Sequence, residues 1–513
     1  MQHLLILVLI PSFLFAQVKS PEQISTTIYN NIICAIGNNN PRAPEFVFQE
    51  NSNGKVAYIK NKKIYLEKKV FESLAVLGEY QDDGIAHILA HELAHHYKGH
   101  AWMKRAGYSY SSSNIGHVLK DRGASIEQRL LDETQADRFA GFYSHMAGYN
   151  SISIADTVLD LIYSSYGLDS LIDGYPSLSE RKSIIDERKD KLLEFTNVFD
   201  AANLALLAHN YKNASACYNY ILDNQFTSCE IYNNLGLGQL LQAMDLSKAQ
   251  VEYNYYYPLT ITDRSRASTE ITRGDVFFDI DFVVDLIHSS IENFELSSNL
   301  DDDYLPARLN KVIAELYLFQ IGEGESLNLE MEIRDVTKYP SMNIYQNNLL
   351  GVYYHIQGKN FAAKKYFKKG EEFNDTYATN NLSLIKSHND KTRSDSVFTP
   401  LIIDKIDVST VPFLYSPPIF SSRKIPGVKL KIYQLENSLV YNYGKGNIIQ
   451  KTITPGFTTN KGLSSTTNVA ELVVILGEPD LLVQTFSTVF YLYLKSNSIY
   501  EIETDTIKSV ITY

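Results

Sequence analysis

The stretch "AHILAHELAHHYKGHAWMKR", residues 86–105, places four histidines and one acid between His91 and His100. On a helix, His91 and His95 project from one face about one turn apart, so both imidazoles can reach one metal ion. Glu92, next to His91, shares that face only in part and can reach a water held on the metal. This is the logic of His-Glu-x-x-His: two zinc ligands and a general base on one helix. Zinc lowers the pKa of its water to about 7, and the glutamate takes the proton as the water attacks a carbonyl. The alternative is a satisfied core histidine pair. On either reading, the inward-facing histidines and glutamate of a buried helix need partners.

Catalytic zinc wants three protein ligands and an open fourth position. His100 lies nine residues after His91, with Gly99 before it. An extended motif would need the third histidine ten after the first and the glycine three before it. His96 and His100 therefore read as supporting or surface residues. The better candidate is "RLLDETQADRFAGFYSHMAGY", where Leu130, Leu131, Thr134, Phe139 and Phe142 suggest a second amphipathic helix. Glu133 and Asp137 are four apart on one face of it. Glu133 could ligate the metal; Asp137 could accept a hydrogen bond from a ligand histidine or brace the first helix.

The elements that must position these groups are legible. Ile85, Ile88, Leu89 and Leu93 recur at helical spacing around the motif, Asp82 and Asp83 stand where an N-cap belongs, and Gly99 can end the helix. Upstream, "KVAYIKNKKIYLEKKVFESL" fits a strand, a turn at "NKK", a second strand and a helix.

With these residues in place, "HELAHH" followed by "ETQAD" resembles the zinc metallopeptidases related to the CaaX prenyl proteases, the heat-shock membrane proteases and the soluble periplasmic proteases of bacterial envelopes. Their group is the gluzincins. The resemblance covers about residues 20 to 195. It implies His91, His95 and Glu133 as ligands of one Zn2+ per chain, Glu92 as base and Asp137 as support. Members usually carry a His-Pro pair with an arginine five residues after the proline. In "YPSLSERK", Pro176 and Arg181 match, but Tyr175 replaces the histidine. A tyrosine hydroxyl can stabilise an oxyanion, though it is a poorer zinc ligand than imidazole. Arg181 either supports the oxyanion or forms a structural ion pair at a helix start. In proteases of this type an edge strand beside the metal helix can bind extended substrate by main-chain pairing. Val56, Ala57, Tyr58 and Ile59 are the candidate edge; the alternative is a plain structural hairpin.

Beyond residue 195 the character changes. "IYQNNLLGVYYHIQGKNFAAKKYFKKGEEFNDTYATNNL" matches the tetratricopeptide pattern, with Leu350, Gly351, Tyr354, Gly358, Ala363 and Phe367 at its packing positions. A second unit places Leu235 and Gly236 correspondingly. In a third, degenerate unit Phe294 precedes Leu309 by fifteen residues, as Phe367 precedes Leu382. Residues from about 255 to 278 break the repeat and read as a loop over one face. Residues 386–400 are polar and aperiodic, a linker. The remainder is β-rich, with three strands near the C-terminus and a short helix at "NVAELVVILGEPD".

The chain has 513 residues, enough for two to four domains, and 44% hydrophobic content, that of a soluble globular protein. Net charge is −12 with no basic run, which argues against nucleic acid as a partner. "MQHLLILVLIPSFLFAQVKS" has the apolar length of a signal peptide, cleaved after Ala16, with an uncleaved anchor as the alternative. No later run is long enough to span a bilayer. Cys34, Cys217 and Cys229 leave open one disulfide or three free thiols.

The expectation is a multidomain, mainly α protein. A signal peptide (1–16) precedes an α+β His-Glu-x-x-His metallopeptidase domain (17–195), an α-helical tetratricopeptide array (196–385), the linker (386–400) and a small C-terminal α+β module (401–513). The function expected is that of an exported zinc metalloendopeptidase, periplasmic, outer-membrane-associated or secreted. Its substrates would be proteins or peptides of the envelope or secreted pool, and the repeats would bind substrate or envelope partners. The rival reading is an envelope assembly or quality-control scaffold with an inactive or latent zinc domain.

Overall fold

The computed structural model describes residues 19–38, 42–51, 54–100, 126–168, 178–259, 280–325, 327–387, 417–444, 447–477, 481–484, 489–493, 498–503 and 505–513. The signal peptide, Tyr175, Pro176, linker residues 388–400 and residues 260–278 of the repeat-breaking loop lie outside them. Among the described residues, no helix is long and apolar enough to cross a membrane.

Helix α1 (Pro21–Ile36) opens with proline in its first turn and a capping box between Ser20 and Gln23. Strands β1 (Glu45–Gln49), β2 (Ala57–Lys60) and β3 (Lys63–Glu67) form a sheet of order β1-β3-β2. β1 runs parallel to β3, and β2 pairs with β3 antiparallel. Asn61 and Lys62 join β2 to β3 with φ of 53° and 61°, the left-handed pair that matches strand twist in a two-residue hairpin. The turn thus falls within the expected "NKK". β2 is an edge strand, and it packs on the metal-motif helix.

Helix α2 (Lys68–Leu74) leads through a 3-10 turn into α3 (Gln81–Tyr97). Ile85, Leu89 and Leu93 are fully buried, each stabilising by about 1.5–3 kcal/mol. α3 begins before Asp82 and Asp83, so these occupy its first turn rather than its cap, where they complement the helix dipole. Gly99 follows the helix end with φ +67°, in the left-handed region. The expected second helix is α4 (Ile126–Met146), packed along α3. Phe139 and Phe142 are buried in it as expected, but Leu131 is 60% exposed. The buried stripe of α4 runs instead through Glu133, Ala136, Asp137 and Ala140.

Helix α5 (Ala155–Tyr166) is followed by α6 (Leu178–Leu207). α6 contains neither glycine nor proline and crosses residue 195 without a break, so the boundary expected there falls inside a helix. Its early part carries Arg181 toward α4, and its later part packs on α7 (Tyr211–Asp223). Then come α8 (Cys229–Ser247), α9 (Ile280–Leu300), α10 (Leu305–Gln320), α11 (Leu329–Val336), α12 (Gln346–Ile356), α13 (Asn360–Glu372) and α14 (Thr376–Ser387), successive neighbours in space. α14 runs two residues past the expected end of the array. None of the three cysteines is in a disulfide, and burial pushes Cys217 up to about 12.

The C-terminal part is a sheet of order β4-β5-β6-β7-β11-β10-β9-β8, every pairing antiparallel. Its strands are β4 (Phe420–Ser422), β5 (Leu430–Gln434), β6 (Ser438–Gly444), β7 (Asn447–Thr452), β8 (Leu481–Gln484), β9 (Val489–Tyr493), β10 (Ser498–Glu503) and β11 (Thr506–Thr512). The expected helix is α15 (Val469–Leu476), with a capping box at Asn468 and Glu471 and an end at Gly477. The sheet docks on α6: Tyr443 Oη donates to the Ala201 carbonyl at 2.6 Å, and Lys424 Nζ lies 2.6 Å from the Glu194 carboxylate. One hydrophobic core joins the N-terminal helices, the array and β4–β7.

The helix pairs of the array interlock by the same device twice. A Cβ on Gly236 would sit 2.9 Å from the Phe294 ring, and one on Gly351 closer still to the ring of Phe367. Both phenylalanines are fully buried. Gly351→Ala should therefore destabilise the protein by about 1–3 kcal/mol through overpacking. Urea unfolding followed by circular dichroism measures this; a shift under about 0.5 kcal/mol would mean the interlock is loose.

Candidate metal centre

α3 and α4 turn their polar stripes toward each other. His91 and His95 bring their Nε2 atoms to 3.0 Å. Glu133 reaches up from α4, its carboxylate 3.3 Å from His91 Nε2 and 3.4 Å from His95 Nε2. Among the described residues these three form the group able to hold a metal ion. The separations can be tested against zinc. Bonds of about 2.0–2.1 Å in a tetrahedron put neighbouring ligand atoms roughly 3.3 Å apart. The three distances agree, and two imidazoles with one carboxylate suit a catalytic zinc that keeps one position open.

Each ligand histidine is held from behind. His91 Nδ1 lies 2.7 Å from Asp137 Oδ1, one turn beyond Glu133 on α4. Asp137 is in turn 2.7 Å from the Arg181 guanidinium, which also lies 3.9 Å from Glu133. Arg181 thus holds the carboxylates. This is the arrangement of the ion-pair alternative for Arg181, since two buried carboxylates on one helix turn require a cation. His95 is held differently. Its Nδ1 lies 2.8 Å from His100 Nδ1, and His100 Nε2 lies 2.7 Å from Gln135 Oε1. With Gln135 Oε1 accepting, His100 carries its proton on Nε2 and leaves Nδ1 as an acceptor. His95 then donates from Nδ1, and its Nε2 lone pair is free for a metal. His100 is the support, not the third ligand, as its spacing implied. His96 Nε2 instead contacts the Arg42 carbonyl at 2.9 Å.

The electrostatics follow from burial and pairing. Burial works to raise the Glu133 carboxyl, but hydrogen bonds and charge from His91 and His95 outweigh it and hold it well below the usual range. Burial is likewise overridden at Asp137, chiefly by Arg181 and then His91. His91 moves up to about 10: burial opposes its charge, and Asp137 and Glu133 more than restore it. A divalent cation entering the site would take over the charge that this proton supplies, so metal uptake releases it. Burial pushes Glu92 up to about 7.

Gln135 escaped sequence reading because an amide in an acidic segment carries no metal-ligand signal. His87 was also passed over. It lies one turn before His91, is 4% exposed, and has no hydrogen-bond partner for either ring nitrogen among the described residues. Burial pushes it down to about 4, so it is neutral. Its spacing of four from His91 was the available signal. Val56, Ala57, Tyr58 and Ile59 lie along the β2 edge, Val56 accepting from Glu67 N at 3.2 Å on the β3 side.

Removing the support of His95 should weaken the metal without removing a ligand. His100→Ala is expected to lower zinc affinity 10–100-fold in a chelator competition, the range for such outer contacts. Unchanged affinity would show that His95 is oriented without His100.

Residues 21–125 match the model of Peptidase family M48, a zinc-dependent family. The match spans about a fifth of the chain; it includes α1 to α3 and ends before Glu133, Asp137 and Arg181. No curated protein matches the chain. The match supports a peptidase of the zinc metallopeptidase kind, and the convergence of His91, His95 and Glu133 supplies a group able to bind its metal.

Proposed function

We propose that this chain is an exported zinc metalloendopeptidase that hydrolyses peptide bonds in envelope or secreted proteins. The observation that carries the reading is the meeting of His91, His95 and Glu133 at tetrahedral spacing, with Glu92 beside them on the same helix. Zinc held there would supply Lewis acidity to a peptide carbonyl and lower the pKa of a water.

The chain's own residues do the rest. Glu92 takes the proton of the attacking water and delivers it to the amine nitrogen as the C–N bond breaks. Burial suits it to that task, since a base titrating near 7 can both accept and return a proton at neutral pH. Asp137 and Arg181 hold His91 in place, and His100 with Gln135 holds His95. The Tyr175 hydroxyl is the proposed donor to the oxyanion. The β2 edge, residues 56–59, would pair with the main chain of an extended substrate, since it packs on α3 and pairs with β3 on one side. The helices from α7 to α14 form a tetratricopeptide-like array that binds substrate or envelope partners; the repeated glycine–phenylalanine interlock supports that likeness. The apolar N-terminal stretch is the basis for export.

Glu92→Gln is the direct test. It should retain zinc and lose at least about 100-fold in cleavage of a quenched peptide by residues 17–513, the low end for general-base removal. Zinc-dependent cleavage that survives the substitution would overturn the role of Glu92. Absence of cleavage by the unsubstituted, zinc-loaded chain would overturn the peptidase reading.

A further inference from the structure

Away from the metal centre, alternate helices of the array carry buried asparagines. Asn233 and Asn234 lie on α8, Asn310 on α10, Asn348 on α12 and Asn381 on α14, all fully buried. They are linked across helices: Asn310 Nδ2 donates to Asn233 Oδ1 at 3.0 Å, and Asn381 Nδ2 to Asn348 Oδ1 at 2.8 Å. Buried amides must be satisfied, and the last two turn to the backbone of a distant residue. Asn348 and Asn381 both donate to the Tyr256 carbonyl, at 3.1 and 2.9 Å, and Tyr256 N donates to Asn381 Oδ1 at 2.8 Å. Asn381 thus offers residue 256 the donor and acceptor that a neighbouring strand would offer. Gln320, the last residue of α10, does similar service: its Nε2 donates to the Tyr253 carbonyl at 2.6 Å, and its Oε1 accepts from Tyr257 Oη at 2.9 Å.

The segment held this way has no helix or strand of its own, but it alternates like a strand. Tyr253, Tyr255 and Tyr257 are partly or fully buried, whereas Asn254 and Tyr256 are exposed. Tyr255 Oη meets His355 Nδ1 at 2.6 Å, and the Tyr253 ring centroid lies 4.8 Å from that of His355. The contacts join residues 63 to 125 apart in sequence, far beyond what connecting α8 to α9 requires. If the segment left, Asn348 Nδ2 and Asn381 Oδ1 would lose the partners that the Tyr256 backbone supplies, so the groove favours exchange of one extended chain for another over an empty state.

We propose that α10, α12 and α14 form a groove for an extended peptide with aromatic side chains at alternate positions, and that residues 253–257 occupy it as an internal ligand. The partner it fits is an unpaired, strand-like segment of a client protein with one aromatic face. Backbone recognition supplies affinity for any extended chain, and the pockets at every second residue supply selectivity. This deepens the binding role proposed for the array, and it does not depend on the metal or on peptide cleavage.

The test uses a fluorescein-labelled synthetic peptide of residues 251–259 (VEYNYYYPL) titrated onto the full chain without zinc, read by anisotropy. The combined variant Tyr253→Ser, Tyr255→Ser and Tyr257→Ser loosens the internal ligand. It should bind the peptide at least tenfold more tightly than the unsubstituted chain, and adding Asn381→Ala should abolish the gain. A combined variant with unchanged helical signal that gains no affinity, or a gain that survives Asn381→Ala, would overturn the proposal. Should the combined variant lose its helical signal, Tyr255→Phe, which deletes one hydroxyl, carries the same test. At least a threefold gain supports the groove, and no gain overturns it.

Discussion

The candidate metal centre depends on two carboxylates, Glu133 and Asp137, that α4 buries one turn apart against the histidines of α3. Buried charges are tolerated only when paired, and removing one partner leaves the other uncompensated. That constraint reaches outward. It requires α3 and α4 to pack along each other, and buried alanines on both helices leave room for them to do so. It requires a cation from a third element, which α6 supplies as Arg181. It also engages His91 on Nδ1, the nitrogen turned away from Glu133.

The two histidines are supported unequally. His91 leans on a carboxylate that an arginine holds ionised, whereas His95 leans on the neutral pair His100 and Gln135. An anionic support makes the ring a stronger donor than a neutral one. The division leaves Glu133 as the carboxylate shared between both rings, and Glu92 as a carboxyl that burial makes readier to hold a proton. One of these acids is held well below its usual range and the other is raised, so their environments separate their protonation.

What was legible in the sequence was what depends on local spacing. The i, i+4 histidines, the Glu133–Asp137 pair, the hairpin turn and the glycine–phenylalanine pattern of the array each follow from helix or turn geometry. What escaped depends on partners distant in the chain. Arg181 reads either as an oxyanion support or as an ion-pair partner, and only the packing of α6 shows that it contacts Asp137. Leu131 looks apolar and inward, but the buried stripe of α4 is turned toward the acids. The boundary at residue 195 seemed natural where composition changes, yet α6 has no residue to break it and belongs to both sides. Residues from about 255 onward read as a loop, because nothing local announces that Asn348 and Asn381 will hold the backbone of Tyr256. The array and the C-terminal sheet are consequently not appendages to the part that holds the candidate site: both pack on α6, the helix that carries Arg181.

Zinc K-edge X-ray absorption on the zinc-loaded chain probes the ligand set itself. Two imidazoles and oxygen donors, four-coordinate at about 2.0–2.1 Å, are the predicted first coordination sphere, with the oxygen contribution altered in Glu133→Ala. A third imidazole, a sulfur ligand, or failure of the folded chain to take up zinc would contradict the site built from His91, His95 and Glu133.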